Sequence, residues 1–184
     1  MPLFHYSEVD FRNTRKCWSL VTIEEFNAMA SDRLRPTLAD CCDAPEWIDG
    51  LLAARPFADF GSLIATADRL AGALTPTGVD RALSAHPRIG EQRAGADRGA
   101  AWSREEQSGV SADVETAAAL HSANRLYEKR FGRVFLICAT GLSSAEILAA
   151  VRARLDNDAD TEAKVVAEEL RKIAILRLRK VINP

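Results

Sequence analysis

The stretch "TEAKVVAEELRKIAILRLRKVI", residues 161 to 182, decides the fold class. Val166, Leu170, Ile173, Arg177 and Val181 recur at spacings of four, three, four and four, which places them on one face of a helix. Such a run needs a core to lie against, and the rest of the chain has the same period. Ala and Leu outnumber the β-branched residues that favour strands.

Working outward, Thr22-Ile-Glu-Glu25 reads as a capping box that opens a helix with Phe26 and Met29 on one face. Asp43-Ala-Pro-Glu46 puts a proline in a first turn, leading to Trp47, Leu51 and Leu52. That helix breaks at Pro56. An amphipathic run follows from Ser62 to Leu74, and Val79 to Ser84 reads as a short helix. The Gly- and Ala-rich residues 90 to 101 read as a loop. A long helix is expected from Ser103 through Arg130, with "SGVS" as a place for a break and Gly132 just past its end. "VFLICA", residues 134 to 139, is the one strand-like stretch, equally compatible with a buried extended segment or a helix start. Ser143-Ser-Ala-Glu146 is a second capping box, and "DNDAD" separates its helix from the last. The expectation is an all-α, single-domain bundle of about seven to nine helices.

Bulk composition narrows the function classes. The chain has 184 residues, 47% of them hydrophobic and 27% charged, enough for one domain with a core. A formal net charge of −2 argues against a nucleic-acid binder. Arg171, Lys172, Arg179 and Lys180 suit a solvated face near a helix C-terminus, where cations are favoured. Cys17, Cys41, Cys42 and Cys138 have neither zinc spacing nor the pattern of a disulfide framework, and are read as free thiols of a cytoplasmic protein. No apolar run approaches a membrane span, and the first twenty residues lack a secretory apolar core. Periodic patterning starts only near Thr22, so residues 1–21 are expected to be an extension.

Polar residues on apolar stripes are the functional clues. Arg177 lies mid-stripe, where an unpaired charge is very costly. Either it forms an internal salt bridge or it holds a ligand carboxylate through its fork of donors. Asn124 and Tyr127 fall on the core side of the long helix and suit backbone-satisfying roles. His121 and His5 read as incidental. In "SAHPRIGE", residues 84 to 91, Pro87 drives His86 out of helical geometry. Gly90 permits a further turn, so the bend either presents an imidazole or merely ends a helix. In "SREEQ", Ser103 and Glu106 satisfy a capping box, yet Glu106 and Gln107 also follow the loop after His86 and suit a cleft shared with it.

Taken together, "HPRIGE", "SREEQSGV", "NRLYEKRFGRVFLICATG" and "ILRLRKVI" resemble the OHCU decarboxylase family, in order and at suitable spacing over roughly residues 22 to 183. Any single block is weak; the set is specific. The resemblance implies residues 22–184 as one cofactor-free, metal-free, all-α domain, usually homodimeric. It also implies decarboxylation of 2-oxo-4-hydroxy-4-carboxy-5-ureidoimidazoline (OHCU) to (S)-allantoin in urate breakdown. It carries catalysis onto His86, with Glu106 expected to orient the imidazole by a hydrogen bond. Substrate contact falls on Pro87, Ser103, Gln107, Arg177 and the segment Phe135, Leu136, Ile137, Cys138 and Ala139. Two departures are visible: "HPRIGE" stands for the frequent H-P-D-L-A-G, and "GRVF" for G-F-P-F. The partner expected is the small-molecule substrate, with no nucleic acid and no membrane. The rival reading is a non-catalytic helical binding or regulatory module in which Arg177 pairs internally and "SREEQ" is only a cap.

Overall fold

The final helix of the computed structural model, Ala159–Val181 (α9), runs through the principal core. The structure describes residues 21–90, 98–108 and 113–182. Within those residues α9 follows α1 (Ile23–Ala28), α2 (Ser31–Cys41), α3 (Pro45–Ala53), α4 (Phe60–Gly72), α5 (Pro76–Ser84), α6 (Arg98–Glu106), α7 (Val114–Phe131) and α8 (Ser144–Arg154). The fold is all-α; the only β-type pairing among the described residues is an isolated parallel bridge between Val21 and Ile182. Of the extension expected over residues 1–21, residues 1–20 lie outside the described residues, and Val21 forms the bridge to Ile182.

Local chemistry accounts for most helix boundaries. Thr22 with Glu25 and Ser143 with Glu146 form the two expected capping boxes, and Asp59 with Ser62 forms a third. Each satisfies main-chain donors that a helix start leaves without partners. Pro45 stands in the first turn of α3, and Gly132 closes α7 at φ +69°, a left-handed geometry cheap only for glycine.

One helix was not foreseen and one expectation is corrected. Helix α2 carries Pro36 inside it and a largely polar face, so no clean apolar period announced it. Residues 98–101, expected as loop, form the first turn of α6, and the loop reading of 91–97 falls outside the described residues. The run from Ser103 to Arg130 breaks where "SGVS" offered a break: α6 ends at Glu106 and α7 starts at Val114.

Two apolar cores result. One joins α1 to α5 with Trp102 and the apolar stripe of α9; the other lies between α7 and α8. The Trp47 indole N–H, donating to the Ala67 carbonyl at 2.9 Å, fastens α3 to α4. All five stripe positions of α9 are buried, Arg177 among them. Leu178 and Ile182 are fully buried within the chain as well. At about 25 cal/mol per Å² of apolar surface, each buried Leu or Ile contributes about 1.5–3 kcal/mol before entropy is subtracted.

Residues 134–139 form the seam between the cores. Val134, Leu136 and Cys138 pack into the first, while Phe135, Ile137 and Ala139 pack into the second. This is the alternation of a β-strand with no strand beside it among the described residues.

Candidate active site

Helix α5 delivers the histidine. It ends at Ser84, the His86 amide donates to the Leu83 carbonyl at 2.9 Å, and Pro87 prevents any continuation. Nδ1 of His86 lies 3.0 Å from the Ala82 carbonyl oxygen. A carbonyl only accepts, so Nδ1 carries the proton there, and Nε2 is the nitrogen left to exchange one.

The turn after His86 is held from three sides. Asn124 Nδ2 donates to the Ile89 carbonyl at 2.9 Å. The Gly90 amide, at φ +87°, donates to Gln107 Oε1 at 2.9 Å. Arg88 makes two bonds to the Glu128 carboxylate, which hold that carboxyl below its ordinary range. Asn124 thus has the backbone role its stripe position suggested.

Ser103, Glu106 and Gln107 come from the C-terminal end of α6. Spacings of three and four put them on one face. Ser103 is not a helix cap, because α6 begins five residues earlier at Arg98. Its hydroxyl instead accepts a long bond, 3.4 Å, from Arg177 Nη2. The Arg177 guanidinium also donates to both Glu106 oxygens, Nε at 2.8 Å and Nη2 at 2.7 Å, and to the Asp40 carbonyl at 3.1 Å. Only 4% of the Arg177 side chain and 10% of Glu106 are exposed. The imidazole is therefore oriented by a main-chain carbonyl, where a Glu106 hydrogen bond was expected; the carboxylate belongs to the arginine.

One cavity gathers these groups. His86, Pro87, Ser103, Glu106, Gln107 and Arg177 line it with Leu136, Ile137, Cys138 and Ala139. Ile89, Thr140 and Ile173 complete the lining. Sequence reasoning missed these three as site residues, though Ile173 sits one turn before Arg177 on the same stripe.

Phe135 is not among the lining side chains: its ring turns into the second core. There it meets the Tyr127 ring edge-on at 5.2 Å and lies 4.6 Å from the Arg154 guanidinium carbon. An alternating segment must send every other side chain away from the cavity. Cys138, half-buried in the wall, has its thiol pKa pushed up, first by burial and then by the nearby Glu169 charge.

A wider, open depression of about 530 Å³ lies elsewhere, against Arg88, His121, Arg125, Glu128 and Lys129. It is lined by charged, mostly exposed side chains and shares no lining residue with the His86 cavity. His121 is exposed there, outside the cavity.

Comparison with known proteins gives a consistent result. Residues 27–179 match the family model described as OHCU decarboxylase. A 2-oxo-4-hydroxy-4-carboxy-5-ureidoimidazoline decarboxylase from Amia calva is 31% identical over 132 residues, covering 70% of this chain and 75% of the relative. The uric acid degradation bifunctional protein TTL of Arabidopsis thaliana is 31% identical over 147 residues, which are 78% of this chain but only 45% of that longer protein. The crystal structure of an OHCU decarboxylase in the presence of (S)-allantoin superposes with a TM-score of 0.67 at 28% identity, covering 83% of this chain and 97% of the other.

Proposed function

The chain belongs to the OHCU decarboxylase family, and from that premise we propose that it converts OHCU to (S)-allantoin and CO₂ in urate degradation. The observation that carries the reading is the convergence in one cavity of His86, Gln107, the Arg177–Glu106 pair and the wall from Leu136 to Ala139.

Loss of CO₂ leaves an electron pair that the imidazoline ring and its carbonyl can spread. The protein must hold the departing carboxylate out of the ring plane, stabilise the spread charge and deliver a proton to one face. His86 Nε2 is the proposed acid–base atom, with Nδ1 fixed by Ala82. Arg177, already holding Glu106, would set an anionic or carbonyl part of the substrate. Glu106 keeps that guanidinium in place and sets the charge of the site. Gln107, whose carbonyl oxygen is engaged by Gly90, has its amide donors for the ring or ureido group. Ser103, Pro87 and the segment Leu136 to Ala139 would shape the pocket around the ring. No step requires a cofactor, because the substrate carries its own electron sink.

The cavity is narrow in this state, about 20 Å³, which is about the room one water needs. The family resemblance supports a homodimer as the working form. Light scattering tests it, with a particle of twice the 20.1 kDa chain mass expected. The free thiols of Cys41, Cys42 and Cys138 support a reducing, cytoplasmic setting. No helix among the described residues is long and apolar enough to cross a membrane.

The test generates OHCU in place from urate and follows its decay by ¹³C NMR. Wild type should accelerate the loss of the carboxyl signal well beyond spontaneous decay. His86→Asn should return the rate to the spontaneous one while keeping a helical CD spectrum. A wild-type rate equal to the spontaneous one contradicts the reading. An unimpaired His86→Asn contradicts the assignment of the histidine.

A further inference from the structure

The seam at 134–139 raises a question of main-chain partners, because an extended segment without a neighbouring strand still has buried N–H and C=O groups to satisfy. Two side chains stand in for the missing strand. Arg154 Nη1 donates to the Leu136 carbonyl at 2.7 Å, and Glu169 Oε2 accepts from the Cys138 amide at 2.8 Å. Both residues so held line the His86 cavity.

Arg154 is buried at the end of α8, and everything around its guanidinium fixes its direction. Nε and Nη2 both donate to Glu162 Oε1, at 2.9 and 2.5 Å. Tyr127 donates its hydroxyl to the same oxygen, and Asn157 Nδ2 donates to the other at 2.8 Å. The Phe135 ring covers one face. With Nε and Nη2 committed to the carboxylate, Nη1 is left aimed at the wall. A buried ion pair is a poor source of net stability, since desolvation opposes its attraction. A rigid fork with one arm on a pocket wall is a good way to place that wall.

We propose that Arg154, clamped by Glu162 and Tyr127, is a positioning residue for the pocket: through the Leu136 carbonyl it sets where the Leu136–Ala139 wall meets the substrate. The kinetic part of this inference rests on the decarboxylase reading; the wall's position does not.

The test uses the full chain with Arg154→Lys, which keeps the charge but loses the fork, and Tyr127→Phe, which keeps the ring but frees one Glu162 lone pair. Leu51→Ala, a cavity in the distant first core, is the control for general destabilisation. Two quantities are read: KM and kcat on OHCU, and the rate of Cys138 alkylation by iodoacetamide, followed by peptide mass mapping. A smaller folded fraction lowers kcat alone, whereas a displaced wall raises KM.

Arg154→Lys should raise KM about three- to tenfold, in keeping with the cost of misplacing a binding surface by a fraction of an ångström. It should also speed Cys138 alkylation severalfold with an unchanged helical CD spectrum. Tyr127→Phe should do both to a smaller degree, and it decides the matter if the lysine variant fails to fold. Leu51→Ala should change neither KM nor the alkylation rate below its melting range. Wild-type KM and alkylation rate in the folded Arg154 or Tyr127 variants would overturn the proposal. So would an equal rise in the control. If wild type itself fails to decarboxylate OHCU, the functional reading falls, and the alkylation contrast still decides the role of Arg154.

Discussion

Two buried arginine–glutamate pairs flank the same stretch of chain, and they are built differently. Arg177 spreads its bonds over both oxygens of Glu106, and the pair opens on the cavity beside His86. Arg154 places two bonds on one oxygen of Glu162, and the pair is sealed behind the cavity wall with Tyr127, Asn157 and Phe135. Both remove charge from water, which costs several kcal/mol per ion before attraction and hydrogen bonds offset it. Each guanidinium also holds a main-chain carbonyl, Asp40 for Arg177 and Leu136 for Arg154, and the difference lies in where the pair sits: Arg177 and Glu106 themselves line the cavity, while Arg154 and Glu162 do not. Burial of a charge therefore does not mark a site by itself.

The largest effect that sharpens the contrast comes from Arg177→Met. It should lower kcat/KM by about 10²–10³, the usual cost of losing one preorganised donor, and should strand Glu106 at about 3–5 kcal/mol of stability. Steady-state kinetics and urea unfolding read the two losses. Replacing both partners, Arg177→Met with Glu106→Leu, should recover most of that stability and none of the activity. The matching double change, Arg154→Met with Glu162→Leu, should retain measurable activity with a raised KM. If the two doubles behave alike, the distinction between the pairs is wrong.

Asn124→Ala tests the support of the histidine turn. Losing the bond to the Ile89 carbonyl should cost about 1–2 kcal/mol in urea unfolding, with a severalfold fall in kcat. The smallest effect is on acid stability. Burial alone would raise the Glu162 carboxyl, but hydrogen bonds from Arg154, Tyr127 and Asn157 outweigh it and the pKa is lowered. The stabilisation is complete above the unfolded value, about 4.3, and is lost as pH falls through the lower folded one. Urea midpoints of Glu162→Gln should therefore change less than wild type as pH drops from about 5 into that range.

How much of this was legible in the sequence follows from the same contrast. Arg177 interrupts an apolar stripe in the interior of a long helix, so its period exposed it. Arg154 sits in the last turn of α8 and Glu162 in the first turn of α9, where a cation and an anion are what the helix dipole favours anyway. Nothing local distinguishes them from solvated end charges; only tertiary packing brings them together. His86 was legible as a constrained bend, while its partner was not. The Ala82 carbonyl is a backbone group with no sequence signature, and the expected carboxylate, Glu106, is engaged by Arg177. Of the readings open for residues 134–139, the buried extended segment is the one found, and its two faces serve the two cores. Alternation also explains why Phe135 turns away from a cavity that its neighbours line. The cap reading of Ser103 failed because α6 starts in a Gly- and Ala-rich stretch that offers no apolar period.

The stereochemistry of the product tests the central claim most directly. OHCU generated in place from urate and left to decay gives racemic allantoin, because a proton reaches either face of the ring. With the wild-type chain present, circular dichroism should show a build-up of the (S) enantiomer, and with His86→Asn the signal should stay flat. Racemic allantoin from the wild-type chain would contradict the account.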